Sequence, residues 1–211
     1  MNFLYKFFRI ILYPIIYLAN FLQNNFTSFF TPMNMGPVAE NSYFLFIKKM
    51  INENNFVLDF GSGAGFFSTL FNYKKYLGIE INKKFVNVSK KKYPNYKFKI
   101  LRKDYLKGYE KKINLIFINN VLHHLTDKQI KDTIAYFKKK LKKKVKLFII
   151  EPLFPKKFFS LEFLMKVLDI GNNIKTEKDY LKLLKKIIKI EAHYTKKVGI
   201  GSVLIIKGYI N

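Results

Sequence analysis

An α/β fold is predicted for this chain of 211 residues: a seven-stranded, mostly parallel, doubly wound sheet with helices on both faces. Short runs rich in branched and aromatic residues alternate with helical patterns, which is typical of a parallel sheet. A glycine-rich turn follows the first of these runs, at the place where such sheets bind ligands. The last two runs follow each other closely and predict an antiparallel C-terminal hairpin. An N-terminal amphipathic helix precedes the sheet.

The predicted strands are at 56–60, 76–80, 98–102, 113–118, 145–150, 187–194 and 202–208. Helical patterns lie between the first five strands at 66–73, 83–93 and 127–143. The connection over 103–112 is predicted as loop. Thr126 and Thr176 each stand three residues before a side chain that can return a capping bond, so each marks a helix start. Because only residues 196–201 separate the last two strands, we expect these strands to pair as a hairpin.

The N-terminal segment, residues 1–37, differs in composition from the domain that we predict over residues 38–211. Its first part is apolar apart from a polar stripe that recurs every three or four residues: Lys6, Arg9, Tyr13, Tyr17, Asn20 and Asn24. Its last part, residues 31–37, is a breaker-rich linker. Such a helix either packs on its own domain or lies in a membrane surface, and the sequence leaves both arrangements open.

Composition excludes several classes of chemistry. The chain has no cysteine and three histidines, so we expect no disulfide, no thiolate nucleophile and no metal site. Its 39 basic and 14 acidic residues give a formal charge of +25, yet Arg9 and Arg102 are the only arginines. Arginine is the preferred residue for bidentate contacts to phosphate and guanine. The charge therefore predicts a general attraction to polyanions, such as an anionic membrane surface, more than a specific nucleic-acid partner.

The most informative segment is the glycine loop, in which Asp59 is followed by Gly61, Gly63 and Gly65 at alternate positions. Glycine permits a positive φ and lets a ligand press against the backbone. The spacing lacks the last glycine of the dinucleotide fingerprint, because Phe66 occupies that position, and it lacks the Lys-Ser/Thr close of a P-loop.

This loop resembles motif I of the class I S-adenosylmethionine-dependent methyltransferases, and later elements match that family in the same order. The second predicted strand ends in Glu80, and Asp104 follows the third. The fourth strand continues as Val-Leu-His-His-Leu over 121–125, and the fifth ends in Glu151-Pro152. The resemblance covers about residues 38–211.

The resemblance implies S-adenosylmethionine as the cofactor. The residues that it implies for cofactor binding are Asp59, Gly61, Ser62, Gly63, Gly65, Glu80, Ile81, Asp104, Tyr105 and Asn119. Glu80, 21 residues after Asp59, is placed to accept both ribose hydroxyls. Asp104 fits the acid that contacts adenine. Phe66, Phe67 and Tyr105 are candidates for cation–π contacts with the sulfonium, or are core residues.

Three residues are candidates for proton removal from an acceptor. His123 and His124 follow the fourth strand, and the ordinary pKa of histidine suits a general base. Glu151, at the end of the fifth strand, is the other candidate base. The alternative is that the histidine pair only shapes the loop.

The acceptor is predicted to be a small, hydrophobic or lipid-linked molecule. The segment 152–186 is rich in Phe and Leu and is predicted as a lid, which could form an apolar pocket together with the N-terminal helix. Two alternatives stay open: an RNA methyltransferase, which the charge favours, and a non-catalytic cofactor-binding protein at a membrane. The cofactor and the lack of a signal-peptide cleavage site predict a cytoplasmic protein, and attachment to the inner membrane face stays open. The oligomeric state is left open.

Overall fold

The structure is a computed structural model that describes residues 2–18, 37–52, 54–155, 160, 163, 171, 173–199 and 201–211. Seven strands form one sheet. They are β1 (Val57–Phe60), β2 (Tyr76–Glu80), β3 (Phe98–Ile100), β4 (Leu115–Asn119), β5 (Val145–Pro152), β6 (Lys189–Val198) and β7 (Gly201–Ile210). The strand order is β3-β2-β1-β4-β5-β7-β6, and the predicted fold is confirmed.

Strands β1 to β5 are parallel, and β7 runs antiparallel to both β5 and β6. The predicted hairpin is therefore confirmed, with strands longer than the sequence pattern indicated. The strand order reverses between β1 and β4, so the chain leaves these neighbouring strands in opposite directions. A crevice forms at the carboxyl ends of strands at such a point, and ligands of open α/β sheets bind there.

Five helices are described: α1 (Asn2–Ile11), α2 (Pro37–Met50), α3 (Lys83–Lys92), α4 (Asp127–Leu141) and α5 (Glu177–Leu184). The predicted capping box is present at α4, where Thr126 and Gln129 each bond the other's backbone N–H. At α5 the Thr176 hydroxyl accepts from the Asp179 N–H and donates to the Asp179 carboxylate. Helix α2 was not predicted, because the sequence after the linker has no capping pattern that marks a helix start.

The helix predicted over 66–73 is wrong. The structure has two 3₁₀ turns there, Phe66–Leu70 and Tyr73–Lys75. Asn72 separates them, because its side chain accepts a hydrogen bond from the Lys74 N–H and so starts the second turn. The rings of Phe67 and Phe71 both pack against Phe117 of β4.

The parallel strands in the middle of the sheet are buried on both faces, as expected for such strands, whereas the edge strand β6 is largely exposed. Helices α4 and α5 cover one face, where Phe137 and Tyr180 pack with Leu58 and other buried aliphatic residues. Helices α2 and α3 cover the opposite face, where Tyr43 and Val86 lie in a cluster rich in aromatic rings. Helices therefore cover both faces of the sheet, and the carboxyl ends of its parallel strands are left for a ligand site.

The N-terminal helix packs on its own domain. Helix α1 continues past a turn at Leu12 into a helical stretch over 13–18. The rings of Phe8 and Phe163 meet edge to face at 6.0 Å, with Leu12 and Phe154 in the same cluster. Asn20, Asn24 and residues 31–36 of the predicted linker lie outside the described residues. Over the part of the chain that the structure describes, no helix is both long enough and apolar enough to span a bilayer.

Candidate functional site

The glycine loop joins β1 to the first 3₁₀ turn, and all three of its glycines have positive φ angles, of 80° at Gly61, 52° at Gly63 and 81° at Gly65. The N–H groups of Gly61 and Ser62 both donate to the Ile79 carbonyl, at 2.8 and 3.0 Å, which ties the loop to β2. The loop conformation is therefore one that L side chains rarely adopt.

Only the middle glycine faces open space. A Cβ at Gly61 would overlap Val121, and one at Gly65 would lie 2.8 Å from the Phe98 ring. At Gly63, by contrast, no atom of the described residues would lie within 4 Å of a Cβ. Gly63 is thus the position at which a ligand can approach the backbone of the loop.

Glu80 lies beside this opening, at the end of β2. Its Oε2 accepts from the Gly63 N–H at 2.9 Å, and its Oε1 accepts from the Asn82 N–H at 2.8 Å. These are its hydrogen bonds within the described part of the chain. A carboxylate has about four acceptor sites, so each oxygen keeps one for a further donor. The geometry suits a ligand that presents two adjacent hydroxyl groups.

Asp59 lies beneath the loop, within β1. Its side chain is buried, and the Tyr76 hydroxyl donates to its Oδ2 at 2.6 Å. The pKa of Asp59 is raised to about 7: burial is the main cause, the hydrogen bond from Tyr76 lowers it, and the charge of Glu80 raises it. Asp59 is therefore poised between its charged and neutral forms near neutral pH. The sequence pattern gave no sign that Tyr76 is its partner.

Three further residues predicted to bind the cofactor follow β2 and β3: Ile81, Asp104 and Tyr105. Asp104 is in a left-handed turn, with φ 59°, and its carboxylate pairs with Lys140 at 2.8 Å. The hydrogen bond from Lys140 lowers the pKa of Asp104. Tyr105 stacks on Tyr136 at 5.1 Å, and Ile81 is 73% exposed directly after β2. The structure thus places an exposed acid, an aromatic wall and an open apolar side chain beyond the carboxyl ends of β2 and β3.

Helix α2 contributes a part of the site that the sequence did not reveal. The hydroxyl of Tyr43 donates to Asn119 Oδ1 at 3.2 Å, at the end of β4. Burial raises the pKa of Tyr43, so its hydroxyl stays a donor. The neighbouring Phe44 packs against Phe66 at 5.8 Å and Phe67 at 6.1 Å, and so covers the loop that follows the glycines. The signal available was the one-turn spacing of the buried residues Tyr43 and Ile47.

Glu151, at the end of β5, is 1% exposed and holds the turn after β4. Its Oε1 accepts from the N–H groups of Val121 and Leu122, at 2.8 and 2.7 Å. Its Oε2 accepts from the His123 N–H at 3.2 Å and lies 2.9 Å from His123 Nδ1. All four acceptor sites of this carboxylate are therefore filled by the protein.

The two histidines occupy different environments. His123 is 3% exposed, and because a carboxylate only accepts, its Nδ1 carries the proton that faces Glu151. The Asn173 N–H donates to the His123 carbonyl at 2.8 Å, and Gly171 packs so closely that any Cβ there would overlap the His123 ring. His124 is exposed, with its ring 4.0 Å from that of His123. The structure therefore separates a buried histidine from one that can meet a ligand.

No metal site is present within the described ranges, where no three histidine or acidic side chains lie in an arrangement that could hold an ion. Described acidic residues instead make hydrogen bonds, as Glu80 does, or surface ion pairs such as Lys128–Asp132.

Comparison with known proteins identifies the class. The sequence model of a family described as a methyltransferase domain matches residues 51–197, which include the glycine loop, Glu80 and Glu151. The chain therefore belongs to this family and is a class I methyltransferase whose cofactor is S-adenosylmethionine. No curated protein sequence matches the chain.

Solved structures share the fold at low sequence identity. A SAM-dependent methyltransferase from Methanosarcina mazei is 17% identical, with a TM-score of 0.59, over 77% of this chain and 96% of that one. A SAM-dependent methyltransferase from Aquifex aeolicus is 17% identical, with a TM-score of 0.57, over 80% and 89%. Magnesium protoporphyrin IX methyltransferase from Synechocystis PCC 6803, with bound SAH, is 19% identical, with a TM-score of 0.57, over 82% and 84%.

Proposed function

We propose that this methyltransferase acts on a small, hydrophobic or lipid-linked acceptor. The observation that carries the proposal is an apolar cluster of Phe8, Leu12, Phe154 and Phe163, which begins two residues after β5 ends. Ligands of such sheets bind outside the carboxyl ends of the strands, so this cluster borders the acceptor side of the crevice. Its members are aromatic or aliphatic, which favours an acceptor with an apolar body.

The residues present fit the cofactor. Glu80 offers one free acceptor site on each oxygen for the two ribose hydroxyls, and Gly63 leaves room beside it. Asp59, below the loop, would supply a titratable charge for the cationic amino group of the cofactor's tail. Asp104, Tyr105 and Ile81 would border the adenine. When bound, S-adenosylmethionine supplies a methyl group that its sulfonium already activates.

The protein's own task is then to orient the acceptor, exclude water and take up a proton where the acceptor must lose one. Orientation alone can contribute roughly 7–11 kcal/mol in ideal cases. We assign His124 as the base that takes up the acceptor's proton, because this side chain is exposed. His123 and Glu151 position the turn that carries His124. If His124→Ala keeps full turnover on the identified acceptor, this assignment fails.

An RNA acceptor is the second candidate, and one feature favours it. Near the amino ends of β3 and β4, the Nζ atoms of Lys97 and Lys99 lie over the Tyr109 ring at 5.7 and 4.4 Å. Amines and aromatic rings together suit nucleic acid. This patch lies at the opposite end of the parallel strands from Gly63, however, so RNA bound there would not bring a base to the glycine loop. The small acceptor is therefore the better supported of the two.

The experiment is methyl transfer from labelled S-adenosylmethionine into a fractionated cell extract. We expect the label in the organic-solvent fraction, with no label when Glu80→Gln replaces the wild type. Glu191→Gln, an exposed carboxylate on β6, is the matched control and should transfer as the wild type does. Label that enters RNA would replace the proposal with the second candidate. If no fraction is labelled although the cofactor is bound, the non-catalytic alternative stands.

A further inference from the structure

A row of large apolar side chains on the N-terminal helical segment faces solvent. We define the outward ridge as Ile10, Ile11, Ile15 and Leu18, whose exposed fractions run from 53% at Ile15 to 73% at Ile10. Soluble proteins rarely expose large apolar side chains in a contiguous patch, and those that do use it to bind something.

The ridge is separate from the face by which the helix packs on its domain. With about 100° between successive residues, the side chains of 6–18 divide into three faces. The docked face is Phe8, Leu12 and Ile16, which are buried or half-buried. The polar face is Lys6, Arg9, Tyr13 and Tyr17. The outward ridge fills the remaining arc, so it is an additional apolar face that domain packing does not require.

Charge identifies the kind of surface that the ridge fits. Residues 2–18 contain two cations, Lys6 and Arg9, and no acid, and the whole chain carries +25. A second copy of this chain would bring like charges together around a shared ridge. An anionic lipid surface attracts the same charges and accepts the ridge among its acyl chains. Tyr13 and Tyr17, which are more than 60% exposed beside the ridge, suit the headgroup level.

We propose that the outward ridge binds the surface of an anionic bilayer, with the helix lying in the plane of the membrane. The docked face of the same helix contacts Phe163, which packs edge to face on Phe154 at 6.3 Å. The membrane would therefore adjoin the apolar cluster at the end of β5. This consequence rests on the proposed function, since it would let a lipid-linked acceptor reach the crevice from the bilayer.

The test is flotation of the full chain with vesicles, without cofactor. One set contains phosphatidylglycerol in phosphatidylcholine, and the other contains phosphatidylcholine alone. We expect binding to the anionic vesicles and weaker binding to the neutral ones. Ile11→Glu, on the ridge, should lower the partition coefficient by about tenfold or more, because one buried isoleucine is lost from the contact. Tyr13→Glu introduces the same charge change on the polar face. The loss in partition coefficient with this variant should be several times smaller than with Ile11→Glu.

Two results would overturn the proposal. One is equal loss with both variants, which would mean that charge alone governs binding. The other is a concentration-dependent dimer in sedimentation that Ile11→Glu dissociates, which would assign the ridge to a second copy. Circular dichroism and calorimetry with S-adenosylhomocysteine should be the same for both variants and the wild type. Absence of cofactor binding in every chain, with vesicle binding intact, would reject the proposed function and leave the membrane proposal standing.

Discussion

Glu80 and Glu151 stand at equivalent places, each at the carboxyl end of a parallel strand, and the structure uses them in opposite ways. Glu80 accepts two backbone N–H groups and keeps an acceptor site on each oxygen, beside the open space at Gly63. Glu151 accepts three backbone N–H groups and faces the His123 ring, so its four sites are filled. A carboxylate at a strand end therefore becomes a ligand site only where the fold leaves its acceptors unfilled.

The difference follows from what lies next to each carboxylate. Burial of a charge is costly unless hydrogen bonds compensate it, and Glu151, at 1% exposed, receives that compensation entirely from the protein. Glu80 is 9% exposed, and its neighbour Gly63 offers one N–H and no side chain. The comparison predicts that loss of the first charge affects ligand binding and that loss of the second affects stability.

The largest effect is expected from Glu80→Gln. An amide can serve as only one of the two acceptors, so the affinity for S-adenosylhomocysteine should fall by about a hundredfold, the scale of two hydrogen bonds to a charged group. The melting temperature should fall less than it does with Glu151→Gln, because only one backbone N–H loses its acceptor. Titration calorimetry measures the first quantity, with Glu191→Gln as the control. An affinity within threefold of the wild type would remove Glu80 from the cofactor site.

Glu151→Gln should show the converse pattern. The amide NH₂ would face backbone N–H groups that have no other acceptor, which we expect to cost about 3 kcal/mol in the free energy of unfolding. Cofactor affinity should stay within threefold, because no ligand group is assigned to this carboxylate. Urea denaturation and calorimetry on the same preparation separate the two quantities. A stable variant with lost cofactor binding would reverse the roles that we give to the two carboxylates.

Gly63 and Gly65 allow a similar comparison, between a position that faces open space and one that is packed against side chains. Gly63→Ala should cost about 1–2 kcal/mol of stability through its positive φ, and should weaken cofactor binding because the methyl group occupies the open space. Gly65→Ala carries the same strain, and its methyl group would also lie 2.8 Å from Phe98 and 2.9 Å from the Ser89 Cβ. It should therefore cost about 1–3 kcal/mol more. Equal unfolding energies for the two variants would contradict the open space at Gly63.

The smallest effect concerns pH and Asp59. Its pKa is raised to about 7, mainly by burial, so above pH 4 the unfolded chain releases a proton that the folded chain retains. The free energy of unfolding should therefore fall as pH rises to about 7, by about 1 kcal/mol between pH 6 and pH 8. Asp59→Asn should remove this dependence of the free energy of unfolding on pH. Urea unfolding of both proteins at the two pH values checks the difference, and parallel slopes would refute it.

Sequence reasoning reached the parts of the site that are local in the chain. The glycine loop and Glu80 were predictable, because each lies at the end of a predicted strand. The local sequence therefore places both at the carboxyl edge of the sheet. The saturation of Glu151 was not, since its partners lie 28 to 30 residues away and only the packing of β4 beside β5 brings them together. The Tyr43–Asn119 bond, across 76 residues, was hidden for the same reason. The 3₁₀ turns after the loop were missed, because the periodicity of apolar residues does not separate two short turns from one short helix.

The most direct test of the central claim is a crystal structure of the chain with S-adenosylhomocysteine. Both ribose hydroxyls should lie within hydrogen-bonding distance of Glu80, one on each oxygen, with the backbone of Gly63 against the ligand. Glu151 should keep its bonds to residues 121–123 and touch no ligand atom. A ribose bound away from Glu80, or a ligand bonded to Glu151, would contradict the central claim.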